Sequence, residues 1–465
     1  MTGGLLVLAV PLLAAAASLL VSGVRAQAQV ARAAGVGLLA AAVAVGWLFP
    51  GTGTLPGPLS VWYLLLVTVL GSLGCFASVP YVLLEHQRSA WPSSRVRGYF
   101  GLYYLLLAAL VAVGLVTGPL LLWGAVEAAG VAAAPLVAVS GSRRALEAAW
   151  KYLVLISIGG FLALLGLVIL LAALHQGSPA ARPALTVGLW LAVAGFAAKA
   201  GLAPFHTWLP DAHAQAPPPV AGLAGAELAA ALYAILRVAG LASGGLGWAW
   251  PRDLLAVLGL ASLALAVVAM AGQRDLRRLL GYSSIEHMGV MALGVSFGGI
   301  GLLGALLHAW THGLAKSGLF LGAGTVEQRY GGTAAPRAVG VLKSLPWTGP
   351  ALAVLSLAIA GAPPWGLFFS EWLVVWGGVG AGHVAEAAAA AILMAVGVVA
   401  LAWRMPEFLL GRPPADLVGG AEEAARLWPI LAVGLGLLLA GPLGLVILHG
   451  LFGAQPTVGL LAGWR

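Results

Sequence analysis

The chain reads as a series of long apolar runs separated by short polar connections, with no sustained alternation of period two. Runs of this kind fall near residues 4–24, 35–50, 60–84, 99–117, 119–140, 149–174, 184–205, 217–240, 254–271, 279–298, 300–325, 349–377, 385–403 and 427–449. A membrane-spanning helix needs roughly 20 apolar residues, so the pattern predicts about fourteen spans. Only helices and closed barrels satisfy every backbone group in lipid, and continuous rather than alternating runs select helices. The fold class expected is an all-α polytopic membrane protein. The second run is short, and the twelfth contains a break.

Two of the runs are interrupted in the same way. The segment 200-AGLAPF-205 is echoed by 360-AGAPPW-365, each placing Gly and then Pro inside an apolar stretch. A proline removes a helix hydrogen bond and clashes with the preceding turn. In a bilayer such breaks persist only where protein or a polar cavity satisfies the freed groups, and paired breaks are a pointer to an internally repeated transporter. The offset between the two is 160 residues, about five helices.

Composition closes off other classes. Of 465 residues 61% are hydrophobic and 8% charged, with a mean hydropathy of +1.00, against about 25% charged in soluble domains. The net charge of +8 is concentrated in connections such as 92-PSSRVR-97 and 274-RDLRR-278. These fit a cytoplasm-like face of a cell membrane under the positive-inside rule and give no reason to expect nucleic acid. The N-terminal MTGGLLVLAV has no basic n-region and reads as a retained span. Cys75 is the lone cysteine, too few for an iron–sulfur cluster or a thiolate zinc site. No P-loop or dinucleotide fingerprint is present, so no cofactor is expected in this chain. The 17 Trp are read as interfacial belts and packing.

A charge in the centre of a bilayer costs about 2.5–3.5 kcal/mol even on a lenient scale, so each one asks for a reason. Glu127 lies in mid-run with no cation near it in sequence. Lys199 follows three apolar turns and precedes the first break, which argues against snorkelling. Burial and a nearby carboxylate act on an amine in opposite senses, so a lysine whose partner approaches or retreats is a proton switch.

In 308-HAWTHGLAKSGLF-320, His308, His312 and Lys316 recur every four residues. They share one helix face over ~12 Å, each turned ~40° from the last. Two imidazoles and an amine in file suit a proton relay. Zinc chelation by His at i and i+4 is the rival, but the carboxylate of HExxH is missing. In 281-GYSSIEHMGVM-291, Ser283 and Ser284 are candidate helix caps, with Glu286 and His287 in the first turns. Glu371 follows the second break as Lys199 precedes the first. His206, Asp211 and His213 line the mouth of the first break or sit at headgroup level, and Glu227 lies in the eighth run.

The blocks 198-AKAGLAPFHTWLPDAHAQAPPPVAGL-223, 274-RDLRRLLGYSSIEHMG-289, 308-HAWTHGLAKSGLFLGAG-324 and 361-GAPPWGLFFSEW-372 resemble, in order, the antiporter-like subunits of respiratory complex I, Mrp-type cation/proton antiporters and group 4 membrane-bound hydrogenases. With 145-ALEAAWKYL-153 and SSIEHMG, the wording is most similar to the F-type membrane subunit of hydrogenase-4. The resemblance covers the chain from about residue 60. It implies fourteen core helices with two inverted five-helix repeats, each holding a broken helix. The corresponding division is N-terminal helices at 1–98, repeats at 99–240 and 254–410, and a C-terminal helix and tail at 427–465.

The resemblance also implies proton or sodium translocation in a larger complex in the inner (cytoplasmic) membrane. Iron–sulfur and other redox subunits, of hydrogenase or quinone-reductase type, would be its partners. By motif, Glu127 matches the family's acid in the fifth helix and Lys199 the lysine before the first break. His308, His312 and Lys316 match the central relay, and Glu371 the charge after the second break. One departure stands out. The lysine common in the family's eighth helix falls on Ala229, and Glu227, two residues earlier, points about 160° away on an ideal helix. An Mrp-type sodium/proton antiporter, a non-conducting scaffold and an inorganic-carbon uptake partner remain as alternatives.

Overall fold

The computed structural model describes residues 2–48, 55–246, 249–417, 422 and 428–452, and apart from one isolated bridge between Asp275 and Ala334 its regular structure is helical. The helices are α1 (Thr2–Leu20), α2 (Val24–Val43), α3 (Pro58–Gln87), α4 (Ser93–Leu115), α5 (Pro119–Val137) and α6 (Arg143–Gln176). There follow α7 (Arg182–Lys199), α8 (Trp208–Gln215), α9 (Pro218–Leu246), α10 (Ala249–Gly272), α11 (Leu276–Phe297) and α12 (Gly299–Tyr330). The chain continues with α13 (Val341–Ser344), α14 (Thr348–Ile359), α15 (Gly366–Gly380), α16 (Val384–Leu409) and α17 (Trp428–Phe452).

Local chemistry sets these boundaries. Pro58 and Pro119 open α3 and α5 as first-turn residues that need donate no hydrogen bond. The Ser142 hydroxyl accepts from the Ala145 amide at the start of α6, and Gly177 closes that helix in the left-handed region. Two expectations change. Helix α2 begins at Val24, well before the apolar run, because the buried Gln27 side chain bonds the Ser18 hydroxyl and donates to the carbonyls of Ser18 and Val21 at the end of α1. Helix α11 is capped by Asp275, whose carboxylate accepts from the Arg278 amide. Ser283 and Ser284 therefore cap nothing. They lie in mid-helix with Glu286 and His287, and Arg277 and Arg278 of the basic connection form its first turn.

Among the described residues nine helices are long and apolar enough to cross a membrane: α1 to α6, α9, α10 and α16. A tenth is α17 if its two segments, Ile430–Gly441 and Gly444–Phe452, bent by 55°, count as one. The expected fourteen is not reached by this measure. Helices α7, α11 and α12 carry charges, and α14 and α15 have only 12 and 15 residues. The tail 453–465 lies outside the described residues.

Large apolar side chains such as Leu13, Trp150, Phe161, Val268, Ile392 and Trp403 face outward, as lipid requires. The chain is a multi-pass membrane protein. Its centre is α9, whose spanning window is 94% buried, against 33% for the peripheral α16. Helices α6 and α7 lie backbone to backbone: a Cβ on Gly188 would stand 2.6 Å from the Leu170 amide nitrogen, and one on Gly159 3.0 Å from the Gly195 carbonyl oxygen. Small residues substitute here for an absent hydrophobic drive between helices in lipid.

Candidate functional site

Helix α7 stops where its sequence turns to Gly and Pro. Gly201 adopts φ 68°, and the Leu202 amide bonds back to the Ala197 carbonyl at 3.0 Å, the six-residue closure of a glycine-terminated helix. Helix α14 stops in the same manner: Gly361 has φ 70°, and the Ala362 amide reaches the Leu357 carbonyl at 3.1 Å. The two breaks share this hydrogen-bond pattern residue for residue at the same offset.

Lys199 ends α7, buried, beside carbonyls whose dipoles favour a cation. Its Nζ lies 3.1 Å from Glu127 Oε1 on α5 and 3.5 Å from the Val126 carbonyl. Glu127 is seated against Gly160 of α6, where a Cβ would collide with the carboxylate. Two charges separated by 72 positions in the chain thus meet inside the bundle. Glu227 of α9 and Tyr152 of α6 line one small cavity together with Lys199.

The second cluster surrounds α12. His308, His312 and Lys316 are all buried along it, as the spacing predicts. They do not form a hydrogen-bonded file by themselves: the rings of His308 and His312 stand parallel with centroids 6.4 Å apart. His287 of α11 bridges them. Its Nδ1 is 2.9 Å from His308 Nε2, and its ring centroid is 5.2 Å from that of His312.

Protons can be assigned along this path. The Ser370 hydroxyl donates to the Leu367 carbonyl, so it accepts from His308 Nδ1–H at 2.9 Å. A neutral His308 then accepts at Nε2 from His287 Nδ1–H. Nε2 of His287 and Nε2 of His312 are enclosed and make no hydrogen bond. Glu371 of α15 completes the group: one ligand-type atom from each of His287, His308 and Glu371 lies within 4.8 Å of the others. That compactness would suit a cation, yet the two imidazoles bond each other.

Below His312, Lys316 donates to the Leu280 carbonyl at 2.6 Å and interacts with Glu286. Glu286 is seated against Gly397 of α16 as Glu127 is against Gly160. His213 of α8 is buried edge-on to Phe320 of α12, at 5.5 Å between ring centroids, and interacts with Lys316.

The remaining expected residues sit apart. Asp211 pairs with Arg278 and lies 3.5 Å from Lys151, tying α8 to α11 and α6. His206 is half-buried at the break between α7 and α8.

Several residues were not anticipated. Arg277, fully buried, donates to the carbonyls of His213 and Ala216 and to Glu327 at 2.7 Å, pinning the chain between α8 and α9. Arg237 of α9 is buried with Tyr233 and Ser60. Ser370 and Tyr152 are hydroxyls among apolar residues. Only the arginines carried a signal in the sequence, as charges adjoining or within apolar runs.

A family model described as NADH:quinone oxidoreductase/Mrp antiporter, TM, matches residues 118–399. The Hydrogenase-4 component F homolog of Methylacidiphilum infernorum is 32% identical over 390 residues, covering 79% of this chain and 81% of that protein. NADH-quinone oxidoreductase subunit N of Desulforudis audaxviator is 31% identical over 437 residues, 85% of this chain and 83% of its own. A chain of the archaeal membrane-bound sulfane sulfur reductase shares the fold with a TM-score of 0.87 at 22% identity, over 99% of each chain. The family match and the relatives agree with the helical bundle, and the chain belongs to the NADH:quinone oxidoreductase/Mrp antiporter transmembrane family, as an antiporter-like subunit.

Proposed function

We propose that this chain is the proton-translocating membrane subunit of a redox-driven complex of hydrogenase-4 or complex I type, in the cytoplasmic membrane. The observation that carries the reading is the Lys199–Glu127 ion pair, 3.1 Å apart at the end of a broken helix. An ion pair at membrane depth is costly to build, and one held between helices has two states that a neighbouring charge can bias. From it the proposed route runs by Lys316 and Glu286 to His312, His287 and His308, and on to Glu371. Imidazole and amine nitrogens suit protons, whereas sodium is held by oxygen ligands.

On this reading α7, α11, α12 and the broken pair α14–α15 are also spans, giving fourteen with α17. The segments 99–240 and 254–410 are then inverted repeats, which the matching hydrogen bonds at the two breaks support. With one cysteine the chain has no means of its own to hold an iron–sulfur centre, so partner subunits, iron–sulfur proteins among them, supply the electrons that bias the pair.

Gentle solubilisation of native membranes followed by mass spectrometry of the subunits that co-purify tests the assignment. Hydrogenase-like or quinone-reductase-like iron–sulfur subunits are expected. Cation/proton exchange by the purified chain alone, with no redox subunits attached, would replace this reading with that of a sodium/proton antiporter.

A further inference from the structure

Lys199 has a second carboxylate within reach that neither the ion pair nor the histidine cluster uses. Glu227 projects from α9 into a cavity of about 30 Å³ that Lys199, Tyr152, Gly130 and Trp208 also line. That volume is about the share of one water in the liquid. Tyr152, buried on α6, stands in the same lining as the Glu227 carboxylate. Trp208 closes the wall: it lies edge-on to Tyr152 at 5.0 Å, and its indole N–H donates to the Ala198 carbonyl at 3.0 Å.

Gly130 of α5 supplies an independent observation. A Cβ there would lie 3.3 Å from Lys199 Nζ and 3.6 Å from the Tyr152 hydroxyl. Ammonium and hydroxyl therefore converge on one point that a glycine leaves open. Glu127, Lys199, Tyr152 and Glu227 form a polar thread across α5, α7, α6 and α9, with the amine between two acids. A buried ammonium requires a compensating charge, and here two are placed for it. Helix α9 meanwhile carries only the buried methyl of Ala229 where the family resemblance leads one to expect a lysine.

We propose that Glu227, positioned by Tyr152, is the second seat of Lys199 and the next proton acceptor on the path, in place of the basic group absent at Ala229. This rests on the translocation reading above. When the Lys199 ammonium leaves Glu127 for the cavity, an Nζ–H bond breaks and an O–H bond forms on Glu227, directly or through one water. A neutral amine and a neutral acid result, and Glu127 is left as a free carboxylate able to take the next proton.

The test compares protons moved per electron by the complete complex in native membrane vesicles carrying Glu227→Gln, Tyr152→Phe or Glu227→Gln with Ala229→Lys. Glu227→Gln should slow proton transfer through this subunit by roughly tenfold or more, as loss of a positioned proton acceptor does, and so remove most of its contribution to the ratio with electron transfer retained. Tyr152→Phe should lower it by a smaller factor. Ala229→Lys should restore pumping to Glu227→Gln, a rescue that a merely structural carboxylate would not show. Wild-type ratios in both Glu227→Gln and Tyr152→Phe, while Lys199→Ala loses the contribution of this subunit, would overturn the inference and leave the translocation reading standing. Wild-type pumping by Lys199→Ala as well would overturn both. If Glu227→Gln fails to assemble, Tyr152→Phe alone decides, and an unchanged ratio in it counts against the proposal.

Discussion

Replacing Glu127 with Gln removes one charge of the central ion pair and leaves its shape almost unchanged. At 3.1 Å and an effective dielectric of about 20, the pair is held by about 5 kcal/mol of Coulomb energy. Breaking a buried pair from one side costs about 3–5 kcal/mol, because the other charge is left uncompensated, whereas removing both charges together is close to neutral. Glu127→Gln should therefore destabilise the subunit by an amount of that order. The conformation that needs a charged Lys199 beside α5 should be depopulated by about two orders of magnitude or more.

The double variant Glu127→Gln with Lys199→Met should recover the stability and not the function. Thermal unfolding of the detergent-solubilised complex reads the first quantity, and acidification of sealed vesicles during electron transfer reads the second. A single variant as stable as wild type, or a double variant that pumps normally, would refute the claim that these two residues work as a charged switch.

Gly160→Val should push the Glu127 carboxylate away from Lys199, since even a Cβ at that position would collide with it. Translocation should fall about tenfold or more with assembly preserved, as measured by native gel and vesicle acidification. Ser370→Ala removes the acceptor that fixes His308 Nδ1–H and should slow proton movement by about tenfold, as loss of a positioning contact does, without changing electron transfer in uncoupled vesicles. Arg277→Met strands the carbonyls of His213 and Ala216, while the half-exposed Glu327 is left to solvent, so the unfolding temperature should drop as expected for about 1–3 kcal/mol per stranded acceptor. Asp416→Ala, which removes the carboxylate 3.6 Å from Arg337 at the surface, should change it by less than about 1 kcal/mol.

The sequence makes the isolated charges conspicuous because an apolar run supplies a uniform background. Glu127, Lys199 and the His308–His312–Lys316 series stand out for that reason, and the bundle buries Lys199 and the series on α12. The two helix breaks are equally legible, since Gly before Pro leaves the chain few other conformations. Periodicity, however, relates residues only along one helix. It could not show that His287 of α11 inserts between two histidines of α12, nor that Ser370 orients His308.

Glu227 shows the same limit. Rotation along α9 sets it about 160° from Ala229 and says nothing of α7, whose Lys199 lines a cavity with Glu227. The seats for carboxylates at Gly160 and Gly397 were hidden as well, because a glycine that makes room for a neighbour looks the same in sequence as one that fills a turn. The number of spans is blurred by the same charges that mark the site: α7, α11 and α12 are long enough to cross a membrane but fall short in apolarity because they carry its polar groups.

On the proposed reading the buried amine of Lys199 moves protons for a redox partner. The most direct measurement is the number of protons translocated per electron by the intact complex in sealed vesicles, with wild-type subunit and with Lys199→Ala. Electron transfer that continues in the variant while the proton ratio falls by the full contribution of this subunit is the predicted result. An unchanged ratio in a fully assembled Lys199→Ala complex would contradict the account.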